Sequence, residues 1–96
     1  MGDTIPVPAE SLRRAVESAA EGMREAREDG RKATARSIQH SIHAATEGTP
    51  GKDGEYVSVP VKHAATLAAF GRAHRVPDSR QHTDAIREYL EQYGYW

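Results

Sequence analysis

Ninety-six residues with 38% apolar content, much of it alanine, make one small domain near the lower limit for a self-sufficient core. A net charge of −1 excludes a chain-wide polyanion binder, and the absence of cysteine excludes disulfides, thiolate metal sites and cysteine nucleophiles. No apolar run reaches bilayer-spanning length and no basic-then-apolar leader opens the chain, so the expectation is a soluble cytoplasmic protein without membrane contact.

Residues 1–8, with Thr4-Ile5-Pro6-Val7-Pro8, come first and predict a frayed end or a short edge strand, since Pro6 and Pro8 each remove a ladder donor. Helical spacing follows over residues 9–28. Leu12, Val16, Ala19, Met23, Ala26, Gly30 and Ala33 repeat as 4-3-4-3, the seam of a packed helix, with Glu10/Arg14, Arg13/Glu17 and Arg24/Glu28 as ion pairs on the wet faces. The apolar phase then slips to Ala35, Ile38, Ile42 and Ala45, just after the turn signal Asp29-Gly30. This predicts a second helix over 32–46 folded back as an antiparallel hairpin, with a single kinked helix as the alternative.

Residues 48–54 are a linker by composition and lack the spacing of a phosphate-cradling loop. Val57, Val59 and Val61 then alternate with period 2, predicting a strand over 56–61 closed by Pro60. A third helix is expected over 61–75, burying Ala64, Leu67, Ala68, Phe70 and Gly71, until Pro77 disfavours helical geometry at Val76. Asp78 or Ser79 caps a fourth helix over 80–93 whose apolar face is Ile86, Tyr89, Leu90 and Tyr93. Gly94 ends it, and Tyr95-Trp96 form an aromatic tail.

The chain thus repeats one pattern: extended piece, proline, two helices. The expected fold is mainly α, two helical hairpins with one or two short strands, divided as 1–47 and 55–96 around the linker. All six aromatics lie in the second half, so the first hairpin must dock on the second or on another chain. A homo-oligomer follows, a dimer favoured, with Leu12, Val16, Tyr56, Val57, Val59, Tyr93 and Trp96 as interface residues.

Chemistry is sparse. His40, His43 and Glu47 share a helix face, but positions i and i+7 stand about 10 Å apart along the axis, too far for one ion. His63 and His74 share another face; Ser79, Asp78 and Asp84 nearby are read as turn and cap residues, and no isolated carboxylate pair stands in an apolar setting. No metal, no cofactor and no catalytic activity are expected. The strongest local signal is charge: between positions 62 and 82, Lys62, Arg72, Arg75 and Arg80 stand against Asp78 alone. With His74 they form a basic corner suited to the phosphate of a ligand or a nucleic acid.

Two resemblances add to this. Tyr56–Val59 as strand, then Pro60, Leu67/Phe70 and Thr83-Asp84-Ala85-Ile86-Arg87-Glu88-Tyr89-Leu90, resemble the ribbon-helix-helix family of DNA-binding regulators. The resemblance implies strands of two subunits paired in a major groove, with Tyr56, Ser58 or Glu55 facing the bases. The strand lacks the Arg, Lys, Asn or Gln that base reading favours. Pro77-Asp78-Ser79-Arg80-Gln81 with Thr83 and Ala85 looks like the turn of helical-hairpin phage proteins that sequester cyclic nucleotides. Three functions follow as expectations: a small oligomeric regulatory or DNA-binding module, a phosphorylated-ligand binder, or a protein that binds another protein through Tyr93, Tyr95 and Trp96.

Overall fold

The computed structural model describes residues 3–47, 52, 54–71 and 79–96. It is mainly helical: β1 (Thr4–Pro8), α1 (Ala9–Glu28), α2 (Lys32–Thr46), β2 (Tyr56–Pro60), α3 (Val61–Phe70) and α4 (Ser79–Gln92). The N-terminal strand is neither frayed nor unpaired. β1 and β2 form a two-stranded antiparallel sheet within the one chain, Ile5 opposite Val59 and Val7 opposite Val57, centred on the pair Pro6–Ser58.

Matching bonds close the ribbon at both ends: Ala9 N–H donates to the Glu55 carbonyl and Val61 N–H to the Asp3 carbonyl, each at 2.9 Å. These bonds set the alternation along the ladder. Odd-numbered residues turn their backbone groups toward the other strand, and even-numbered ones turn them outward. Pro6, Pro8 and Pro60 all occupy even positions, where a missing N–H breaks no ladder bond. The prolines that made β1 look weak as a strand are placed where they also blunt its edge against strand addition.

The same pleat puts Ile5, Val7 and Val59 in the core, with Val57 half-buried against it. Leu12, Ile38, Leu67, Ile86 and Leu90 complete that core from all four helices. The two halves are related by an offset of 52 residues, Thr4–Pro8 onto Tyr56–Pro60, so α1 and α3 leave the ribbon from equivalent places. Leu12 and Ala15 of α1 correspond to Ala64 and Leu67 of α3, a large and a small side chain in exchanged order, and all four are buried.

Helix α1 buries more than its heptad seam. Ala9, Ser11, Leu12, Ala15, Ser18, Ala19, Gly22 and Ala26 are enclosed, because α1 packs against both α2 and α4. Small residues there let two neighbours approach at once. Asp29-Gly30 breaks the chain into two separate helices, as its turn chemistry predicts: Gly30 has φ 78°, its N–H bonds the Arg27 carbonyl, and Arg31 N–H bonds the Ala26 carbonyl. The same motif closes α4, where Gly94 has φ 82° and Tyr95 N–H bonds the Leu90 carbonyl.

Three expectations need correction. Helix α3 ends at Phe70 instead of running on to residue 75, since Gly71 turns to extended geometry with ψ 140°. Phe70, expected in the core, is exposed on that last turn, while Ala64 and Leu67 face inward. Leu12 and Val59, expected at an interface with a partner, are enclosed by the chain's own core, and Val16 and Val57 pack partly against it. One chain supplies both halves, so the apolar groups that seemed to need a partner find one internally.

Candidate functional site

The outward face of the ribbon carries Thr4, Pro6, Pro8, Tyr56, Ser58 and Pro60. None is charged, and the residues that flank the strands at either end, Asp3 and Glu55, are both exposed carboxylates. Pro8 stands opposite Tyr56. The Tyr56 ring meets Tyr89 of α4 edge to face, centroids 6.5 Å apart at 79°. The Tyr89 phenol is held above its ordinary value by a hydrogen bond with Tyr56, by burial and by the neighbouring Tyr56 and Tyr93 phenols. Tyr56, Tyr93, Tyr95 and Trp96 are between 42% and 61% exposed, a large share for side chains of this size.

At the other end of the ribbon, the turn at Gly94 delivers Tyr95 to Asp3, whose Oδ2 accepts a 2.7 Å bond from the phenol. That bond, with a smaller contribution from burial, raises the Tyr95 phenol above its usual range. Asp3, Pro60, Val61, Lys62, His63 and Tyr95 line an open cleft of about 490 Å3 there.

His63 lines this cleft and is buried. Its Nδ1 shares a 2.9 Å hydrogen bond with Ser41 Oγ, and its ring meets His40 edge-on at 5.2 Å. On the other side of the ribbon Ser11 Oγ shares a 2.9 Å bond with His82 Nδ1. Ser11 and His63 are each the third residue of a helix that leaves the ribbon, so the two pairs are equivalent with the serine and histidine exchanged. They tie α1 to α4 and α3 to α2. Both serines are buried, and no carboxylate is hydrogen-bonded to either histidine among the described residues.

Burial first, then the charge of Lys62 and the neighbouring His40, push the His63 pKa below its ordinary 6.5. The folded state therefore disfavours the proton, and the unfolded chain binds more of it below pH 6.5. Stability is full above that value and declines as the pH falls through the lowered folded pKa. The groups facing His63 are Lys62 on its own helix, His40 and Ser41 on α2, and Asp3 and Tyr95 across the cleft. Thermal melting between pH 8 and pH 5 is expected to show a loss of stability on acidification that is smaller in His63→Gln. Equal acid sensitivity in the variant would remove His63 as the cause.

Of the expected basic corner, Lys62 is exposed at the start of α3 and Arg80 is exposed at the start of α4. Arg72, His74 and Arg75 lie outside the described residues. Of the expected interface set, Tyr56, Tyr93 and Trp96 are exposed, whereas Leu12 and Val59 are buried. Among the described residues no three His, Asp or Glu side chains converge to hold a metal, and no helix is long and apolar enough to cross a membrane.

Sequence reasoning missed the Ser11–His82, Ser41–His63 and Asp3–Tyr95 contacts. The repeated strand-proline pattern carried a signal for the first two, since it aligns Ser11 with His63. No protein-family model, curated protein or solved structure shows a significant match to this chain.

Proposed function

We propose that this is a small non-enzymatic interaction module, ribbon-helix-helix-like in each half, which docks a partner protein on the outer ribbon face and its aromatic rim. One observation carries the reading: the outward ribbon positions hold prolines, a tyrosine and small hydroxyls, with carboxylates at both ends. Reading bases in a major groove calls for Arg, Lys, Asn or Gln at those positions, and Asp3 and Glu55 would repel phosphates. Exposed tyrosine and tryptophan beside a rigid proline-bearing ribbon suit a protein partner instead, because such side chains dominate binding hot spots. The phenol faces and the adjacent carboxylates favour an extended partner segment that carries proline together with lysine or arginine.

Selection of peptides of that composition against the full chain tests the reading. Binders are expected to lose roughly tenfold or more in affinity with Tyr56→Ala or Tyr93→Ala, as truncation of a hot-spot aromatic costs 2 kcal/mol or more. A 20-base-pair duplex titrated at 50 and 200 mM salt provides the opposing arm. Micromolar binding that weakens steeply with salt and survives Tyr56→Ala would establish DNA as the partner and overturn the proposal. Sedimentation of the same variants covers the third occupant: a dimer that dissociates in Tyr56→Ala makes a second copy of the chain the partner.

A further inference from the structure

The outer parts of α1 and α2 enclose a second cleft, far in sequence from the ribbon and unrelated to its aromatic rim. It has a volume of about 440 Å3 and is lined by Arg27 of α1 and by Lys32, Ala35, Arg36 and Gln39 of α2. Three cations share it, and its lining contains no carboxylate.

Four other arginines are matched by acid: Arg14 with Glu17, Arg24 with Glu21, Arg31 with Asp29 and Arg87 with Glu91. The cleft cations break that pattern. Lys32 and Arg36 are exposed and have no ion pair among the described residues. Arg27 is oriented by a neutral group, its Nη2 donating to Gln39 Oε1 at 3.1 Å, which leaves its remaining donors free for an anion. A guanidinium held in place, a second guanidinium and an ammonium around one concavity match the geometry and charge of a phosphate group.

We infer that this cleft binds a small phosphate ester, of the size of a nucleoside monophosphate. The volume lies in the range of small-molecule sites. A polyanion track is a poorer fit, because exposed Glu28 and Asp29 follow Arg27 directly and put negative charge next to it. The site is independent of the docking surface proposed above, so either stands if the other fails.

Calorimetric and NMR titration of the full chain with AMP, inorganic phosphate and a 12-nucleotide single strand tests the inference. AMP is expected to shift the amides of 27–39 and to bind at least as tightly as phosphate, which supports recognition of the ester. Lys32→Gln and Arg36→Gln should each weaken AMP about tenfold, the loss of one charge-assisted contact, and the double variant more. Both side chains are exposed, so melting temperatures should not move; Arg87→Gln on α4 serves as the control and should bind AMP like the unaltered chain. Three results would overturn the inference. They are no shift in 27–39 at millimolar AMP, unchanged affinity in the double variant, or an oligonucleotide that displaces AMP from these residues and binds more tightly.

Discussion

Ile5→Ala is expected to lower the free energy of unfolding by about 2–5 kcal/mol, the range for truncating a fully enclosed isoleucine. Ile5 is 1% exposed, faces Val59 across the ribbon and belongs to the same cluster as Leu67, Ile86 and Leu90. A five-residue strand cannot shift to fill the cavity without slipping its register, and a one-residue slip would turn Val7 outward as well. Pro6→Ala, one position away on the outer face, should change stability by no more than about 0.5 kcal/mol. Urea unfolding of the two variants gives the contrast directly. Equal and small effects would mean that β1 is an appendage and not part of the core.

The second large effect is expected at the junction of α3 and α4. Adding a Cβ at Gly71 would place it 2.8 Å from both Cγ2 and Oγ1 of Thr83, and 3.1 Å from the Leu67 carbonyl. Thr83 is buried, so its branched end has little room to rotate away. The backbone angles at Gly71, φ −64° and ψ 140°, suit any residue, which leaves contact and not strain as the cost. Gly71→Ala should destabilise by about 1–3 kcal/mol through overpacking.

Thr83→Ala removes both colliding atoms and also a hydroxyl that is buried without a hydrogen-bond partner among the described residues. Introduced into that background, Gly71→Ala should cost markedly less, a coupling that a double-mutant cycle measures. Additive effects in the cycle would show that the two residues do not touch as described.

The buried His63–Ser41 pair and the cationic cleft are both products of packing. His63 and Ser41 are 22 positions apart, and only the repeat that aligns His63 with Ser11 hints that α3 presses its third residue onto α2. Arg27 lies on α1 and Arg36 on α2, nine positions apart in the chain. The turn at Gly30 brings their helices together, and Gln39 takes the place beside Arg27 that a carboxylate holds elsewhere.

Local physical chemistry made much of the fold legible in the sequence. The spacing of apolar residues located α1 and α2, because the covered face of a helix is mostly apolar. Gly30 and Gly94 marked the helix ends, because positive φ is open to glycine at no steric cost. Alternating valines marked β2, and the repeated strand-proline motif marked the two halves.

Tertiary structure decided the rest, for reasons that no local pattern carries. Pro6 and Pro8 left β1 as a frayed end or a short edge strand until the register put them on outward positions. The broad buried face of α1, including Ser11, Ser18 and Gly22, exists because two helices cover it, and a single-seam reading sees only one. Leu12 and Val59 pointed to a second chain, yet the ribbon closes on itself and encloses them. Burial is a property of the neighbours that arrive through space. The sequence determined the elements and the kind of face each one offers, and only the assembled fold determined which of those faces remain open to a partner.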